Sequence, residues 1–404
     1  MRVSTLTIYN QSVSSLSRRQ VDFIETGQQL AAGKKVVRPS DDPKAAAQAL
    51  GVGQAKALVQ QYQEARIGVR NALSQEESVL QSVGDAITRA RTLVLQASNG
   101  SLSDADRASV ASELRGIFES VLGQANTSDG NGRYLFGGYE DGSPPFIKDA
   151  DGNVMFVGSD SAREQRVDAS RLIPMSDSGA TIFLSTHSRG YVAEADAGNT
   201  GSVRFTGPQV VDTNATGYGA TFDVTFSDDG SGQLRYSVVD TDGNVHVADQ
   251  PYASGMTLNV GGLSLKLEGT PADGDSLRMG PGTDMNADLF QTFAKAIAAL
   301  ETPADDATSK ARLSNTLNTV LREFDNSLDN VLIVRASVGA RLNELDTLDL
   351  VADARNLSYS QTLSGLVDLD YVQAVSSYML RQVGLEAAQK SFVDISSMSL
   401  FRLL

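Results

Sequence analysis

Side-chain chemistry needs nucleophiles, acids or metal ligands at set spacings, and this 404-residue chain offers few of them. It has no cysteine, which excludes disulfides, thiolate metal sites and a thiol nucleophile. Its two histidines, His187 and His246, fall short of a three-ligand catalytic zinc site and read as surface or strand residues. Asp41 and Asp42 could pair as acid and base, but neither a further acid nor a histidine is near them in sequence. With Pro43 following, they read as the cap of a helix: Asp42 accepts from a free first-turn N–H, and proline has no N–H to strand.

Two similar stretches, Asp149-Ala-Asp-Gly-Asn-Val154 and Asp240-Thr-Asp-Gly-Asn-Val245, space their aspartates as a calcium loop does. Such a loop wants Gly at its sixth position and Glu at its twelfth, where these have Val154 with Asp160 and Val245 with Pro251. They read as Asp-Gly hairpin turns. The patterns HExxH, GxxxxGK[ST] and GxSxG are absent, and the glycines from Gly132 to Gly138 open no phosphate-binding helix. The expectation is a protein that is not an enzyme and holds no cofactor or metal.

The elements around these residues divide sharply. Between Gly130 and Gly282 fall 24 of the 36 glycines, 7 of the 10 prolines and both histidines, so the middle of the chain is turn-rich. That stretch has 10 basic and 20 acidic residues, carrying −10 of the chain's net −15. So acidic a chain repels phosphates and anionic lipid, which argues against nucleic acid as a partner. No run of about 18 apolar residues occurs, so no membrane insertion is expected, and residues 1–16 lack the apolar centre of a secretory signal. Within the middle, Ala220–Phe226 and Gln233–Val239 alternate as strands do, with Asp-Asp-Gly and Ser-Gly turns between them.

The flanks have helical periodicity. Tyr9, Leu16, Phe23 and Leu30 step by seven, a narrow seam on a rod of about 45 Å that needs a partner helix. Past Gly33 the pattern breaks, and an alanine-rich helix begins about Lys44. A further long helix carries Leu73, Leu80, Ile87 and Val94. Ser103 with Asp106 reads as a capping-box variant opening a helix with Val110, Leu114, Ile117 and Val121 inward. After Asn286 the ladder Leu317, Phe324, Val331, Val338, Leu345 and Ala352 spans an unusually long helix. At the C-terminus Tyr371, Tyr378, Leu385 and Phe392 mirror the first seam, with Arg381 interrupting.

An out-and-back chain buries these seams. The expected fold is α+β: an antiparallel, coiled-coil-like helical rod made from both termini, with a β-rich insertion at its far end. Residues 1–42 and 366–404 would be terminal helices for assembly and export, 43–137 and 284–365 the rod, and 138–283 the outer insertion. The two terminal seams either order only on assembly with neighbouring subunits or pair within the chain as a stable coiled coil.

The segment Leu30-Ala-Ala-Gly-Lys-Lys-Val-Val-Arg-Pro-Ser-Asp-Asp-Pro-Lys-Ala-Ala46 resembles the N-terminal signature of the hook-associated proteins of the flagellin superfamily. Gly132-Arg-Tyr-Leu-Phe-Gly-Gly138 is similar to that family's glycine-flanked strand, and Arg335-Ala-Ser-Val-Gly-Ala-Arg-Leu-Asn-Glu-Leu-Asp346 to its returning helix. Gln389-Lys-Ser-Phe392 and Leu400-Phe401 complete the pattern, whereas the insert shares only Gly269-Thr-Pro-Ala-Asp-Gly-Asp275.

The resemblance implies a structural protein of the bacterial flagellum, exported unfolded by the type III apparatus and assembled outside the cell as a ring at the hook–filament junction. Implied partners are neighbouring copies, the hook-side junction protein (hook-associated protein 1), flagellin on the filament side, and an export chaperone on the C-terminal helix. Tyr9, Leu16, Phe23, Leu30, Tyr371, Tyr378, Leu385 and Phe392 would be the assembly seam, and Tyr378, Leu385, Phe392 and Ile395 the chaperone anchors. The rival readings are a filament-forming flagellin and, further off, a glycan-binding or enzymatic outer domain on the same rod.

Overall fold

The computed structural model describes residues 5–100, 102–185, 190–228, 230–285 and 288–400, so His187 lies outside it. Six α-helices occur among the described residues: α1 (Thr5–Ala32), α2 (Pro43–Ala97), α3 (Asp104–Ala125), α4 (Leu289–Glu301), α5 (Ala307–Val367) and α6 (Tyr371–Leu400). Between α3 and α4 the described residues form twelve strands: β1 (Phe146–Lys148), β2 (Val154–Phe156), β3 (Glu164–Asp168), β4 (Arg171–Pro174), β5 (Tyr191–Ala195), β6 (Arg204–Val210), β7 (Phe222–Asp228), β8 (Leu234–Asp240), β9 (Val245–Pro251), β10 (Thr257–Val260), β11 (Leu263–Glu268) and β12 (Ser276–Pro281). Long helices at both ends around a β-rich centre are what the sequence predicts. The alanine-rich helix and the one after it are, however, a single helix of 55 residues. Gly51 and Gly53 do not break it, since an isolated glycine costs about 1 kcal/mol relative to alanine, less than the packing of a continuous helix returns.

The chain divides into two compact units. The first comprises Met1–Glu64 with Asp346–Leu404, and the second Ala65–Leu345. In the first, α1 pairs with α6, and the α2 and α5 segments of this unit are joined by Lys56 to Ser360 (2.9 Å), Gln63 to Asp353 (2.8 Å) and Asn356 to Gln63 (2.7 Å).

In the second unit Leu73, Leu80, Ile87 and Val94 of α2 are buried, as are Leu317, Phe324, Val331, Val338 and Leu345 of α5. Each such side chain contributes about 1.5–3 kcal/mol, which is why the seven-residue ladders persist over this length. α3 packs on α4 and opens with the full capping box: the Ser103 hydroxyl accepts from Asp106 N–H and the Asp106 carboxylate from Ser103 N–H. That hydroxyl, then the backbone N–H, holds the Asp106 carboxyl below its ordinary range.

The strands form an antiparallel five-stranded sheet, β5-β12-β7-β8-β9, and a three-stranded sheet, β10-β11-β6, with hairpins β1-β2 and β3-β4. Alternation sets the inner face: Phe222, Val224 and Phe226 of β7 and Leu263, Leu265 and Leu267 of β11 share one core. α5 closes the side of this sandwich. Asn315 accepts from Phe205 N–H (3.1 Å) and donates to Val203 C=O (2.9 Å), Asn318 donates to Phe205 C=O (2.7 Å), and Thr319 to Ala193 C=O (2.6 Å). These side chains occupy strand-edge groups that would otherwise invite another strand.

Candidate assembly site

On α1 and α6 the two predicted seams meet. Phe23 stacks on Tyr378 with ring centroids 4.7 Å apart, and Tyr9 tilts against Phe392 at 5.5 Å. These contacts are fourteen residues apart on each helix and run in opposite directions, so the same register sets Leu16 opposite Leu385 and Leu30 opposite Tyr371. Leu16, Phe23, Leu30, Tyr378, Leu385 and Phe392 are half-buried, while Tyr9 and Tyr371 stay 47% and 57% exposed. Ile395 lies on α6, but its side chain is outside the described residues.

Arg381, the interruption in the C-terminal seam, crosses to α1. Its Nη1 donates to Asp22 C=O and to Thr26 Oγ1, each at 2.6 Å, and the buried Thr26 hydroxyl itself donates to Asp22 C=O. A polar residue in an apolar seam bonds well in one alignment only, so Arg381 acts as a register key.

Sequence reasoning missed a second stripe. Val372, Val375, Met379 and Val383 of α6 are spaced by three and four residues and are all exposed, Val372 at 84%. Val13, Val21 and Ile24 of α1 and Leu50, Leu58, Leu350 and Leu357 of α2 and α5 are exposed too. Single exposed apolar residues are ordinary, but these recur along all four helices of one unit. The signal was present as a stripe offset from the ladders, masked because a seven-residue count follows one stripe only.

The chain reverses between α1 and α2 and between α5 and α6, and the two reversals are stitched together. Lys35 N–H donates to Val367 C=O (2.8 Å), Leu369 N–H to Gly33 C=O (3.1 Å) and Lys35 Nζ to Gly365 C=O (2.5 Å). Gly33 has φ +66°, and a Cβ there would meet the Tyr371 hydroxyl at 2.7 Å, so this turn needs glycine. Asp42 caps α2 through Ala45 N–H (2.9 Å). Asp41 does different work: its Oδ2 accepts from Val37 and Arg38 N–H (3.0 and 2.7 Å) and braces the preceding turn.

Gln389-Lys-Ser-Phe392 lies on α6 in the first unit, Phe401 is outside the described residues, and the remaining motifs fall in the second unit, the returning helix as far as Leu345. Arg335 pairs with Glu77 of α2 at 2.7 Å, Arg341 with Asp177, and Glu344 takes a two-pronged contact from Arg171 of β4. The segment Gly132–Gly138 is not the strand expected of it. Tyr134 makes an isolated bridge to Ser128, and the chain then turns at Leu135 and Phe136, whose buried side chains anchor it. A turn prevails because Gly138 has φ +63° and lies against Ser159 and Ser161 C=O, which a Cβ would meet at 2.5 and 2.6 Å.

Phe136 leads into an aromatic cluster the sequence did not reveal. Phe183 lies 5.5 Å from Phe136, 5.3 Å from Phe146 and 5.8 Å from Phe290.

The two Asp-Gly loops are turns with filled carboxylates. Asp149 Oδ1 accepts from Asp151 and Asn153 N–H, and Asp240 Oδ1 from Asp242 and Asn244 N–H in the same way. His246, a strand residue on β9, adds a 2.8 Å bond to Asp240 Oδ2, and this bond, followed by that from Asn244, draws Asp240 down to about 2. Among the described residues no three His, Asp or Glu converge as a metal site, and no helix is long and apolar enough to cross a membrane.

Paired terminal helices around a β-rich centre make the fold flagellin-like. The family described as the bacterial flagellin N-terminal helical region matches residues 3–141. The chain is 34% identical to flagellar hook-associated protein 3 of Escherichia coli K12, over 100% of this chain and 99% of that one. It also resembles the crystal structure of hook-associated protein 3 from Legionella pneumophila, with TM-score 0.71, 26% identity, and 78% of this chain and 98% of that one covered. The Xanthomonas campestris FlgL structure is similar at TM-score 0.67 and 30% identity, covering 78% and 99%. The chain belongs to the flagellar hook-associated protein 3 family. That family is structural rather than enzymatic, and its place is the flagellum, in association with other flagellar components.

Proposed function

We propose that this chain forms the junction between hook and filament: a ring of copies that contacts hook-associated protein 1 on one side and flagellin on the other. The observation that carries the reading is the end-to-end identity of 34% with a hook-associated protein 3, insert included. A FlgL from Legionella pneumophila is itself described as a flagellar junction protein.

In this reading residues 1–42 and 366–404 make the assembly region, 43–137 with 284–365 the rod, and 138–283 the outer part. The seam Tyr9, Leu16, Phe23, Leu30, Tyr371, Tyr378, Leu385 and Phe392 holds α1 to α6, and the exposed stripe through Val372 and Met379 meets neighbouring subunits. The chain travels through the type III apparatus unfolded and works outside the cell. An export chaperone that grips Tyr378, Leu385, Phe392 and Ile395 would cover Tyr378 and Phe392, which pack on α1 after folding, so it must leave before α1 and α6 pair.

Deletion of the gene in its motile host tests the assignment. Hooks without filaments, with flagellin shed into the medium, are expected; normal filaments would refute it.

A further inference from the structure

Glu76 of α2 is fully buried, yet among the described residues no cation is bonded to its carboxyl. Its Oε1 accepts from Asp177 N–H at 3.0 Å, and its Oε2 has no partner among the described residues. Two described charged groups face it. Asp177 comes from the segment between β4 and a π-turn at Ala180–Leu184, and Arg341 from α5. Arg341 gives Nη2 to Asp177 Oδ2, leaving Nη1 buried and without a partner among the described residues. On Glu76's own helix, the adjacent Glu77 is taken by Arg335. The pocket thus holds two carboxyl groups and one guanidinium, and the guanidinium is committed to Asp177. An unpaired second anion in so dry a place is costly, and the neutral acid is favoured.

The segment around Asp177 is a meeting point. Ser178 Oγ donates to Ser159 C=O (3.1 Å), Gly179 N–H donates to Phe136 C=O (3.0 Å), and Asn330 of α5 donates to Thr181 and Ile182 C=O (2.8 and 3.0 Å). Phe183, at its end, seats the aromatic cluster. The hold of Glu76 on Asp177 is therefore one of the contacts that dock residues 175–184 on the α2–α5 pair of this unit, and the one that involves a titratable group.

We propose that docking of residues 175–184 takes up one proton from solvent, held by the Glu76 carboxyl, so that this segment is a proton-dependent clasp, tight in acid and looser as the pH rises. When the segment lifts, Glu76 meets water, ionises, and returns the proton. Burial, and after it the Asp177 carboxylate, pushes Glu76 up to about 8, against the opposing pull of the Asp177 N–H and Arg341. A carboxyl raised in the closed form favours closure fully below its ordinary value of 4.5. It loses that contribution between there and about 8, and changes little above.

The test is hydrogen exchange on the full chain from pH 5 to 9.5, read for peptides over residues 175–184 after correction for the intrinsic base-catalysed rate. One-proton linkage predicts an opening constant that rises about tenfold per pH unit and levels off above about pH 8. Glu76→Gln keeps the oxygen that accepts from Asp177 N–H but cannot ionise, and its profile should be flat. Circular dichroism confirms that the variant is folded. Should Gln fit badly, Asp177→Asn gives an independent reading: with the neighbouring anion removed, the levelling point should move to lower pH. A flat corrected profile in the unaltered chain, or a pH dependence that survives Glu76→Gln, would overturn the proposal.

Discussion

Replacing Phe23 by alanine tests whether the seam between α1 and α6 carries the energy its geometry implies. Truncating a fully buried phenylalanine costs about 3–5 kcal/mol, and stacked rings add about 0.5–1.5 kcal/mol beyond area. Phe23 is half-buried and stacks on Tyr378 at 4.7 Å, so about half the burial cost plus the stacking gives about 2–4 kcal/mol. If the two helices open together, that is about a 30- to 900-fold rise in the opening constant. Hydrogen exchange on the soluble chain reads it directly: peptides from both α1 and α6 should accelerate, though only α1 carries the change, while those of the β7–β8 hairpin should not. Phe23→Tyr, which keeps the ring, should stay within a few-fold of the unaltered chain. An unchanged α6 would refute the pairing, as would helices that already exchange at the rate of unstructured peptide before any substitution.

Three further outcomes follow from the geometry. Gly138→Ala must place a Cβ at positive φ against two carbonyl oxygens, and should lower the thermal midpoint by the equivalent of about 2 kcal/mol or more. Phe183→Ala, which empties the centre of the aromatic cluster, should cost about 3–5 kcal/mol in denaturant unfolding; a loss under about 1 kcal/mol would show the cluster to be incidental. Because Asp240 is drawn down to about 2, its carboxylate supports the β8–β9 turn above its ordinary 3.8 and loses that support as the pH falls through about 2. Amides of residues 240–247 should therefore stay protected at pH 4 and open below pH 2, and Asp240→Asn should weaken them already at pH 7.

The long helices were legible because a seven-residue period survives any detail of side-chain choice: every member of the Leu73–Val94 and Leu317–Leu345 ladders is buried. Caps were legible for the same local reason, as Ser103 with Asp106 and Asp42 before Pro43 show. What escaped depends on segments that meet only in space. Phe136, Phe146, Phe183 and Phe290 come from four separate stretches with no common period. Glu76, Asp177 and Arg341 are each about a hundred residues or more from the next, and nothing local marks any of them as buried. Asn315, Asn318 and Thr319 look like solvent-facing helix residues until a strand edge is laid against them. Arg381 looked like a flaw in its ladder because its partners, a backbone carbonyl and a hydroxyl, leave no trace in a hydrophobic pattern.

The assignment to the junction is tested most directly by placing the chain on the organelle. A short epitope inserted at the exposed Ser231–Gly232 turn between β7 and β8, labelled with gold in motile cells, should appear as one narrow band where the hook ends. Label spread along the filament would contradict the account and identify the chain as a filament subunit instead.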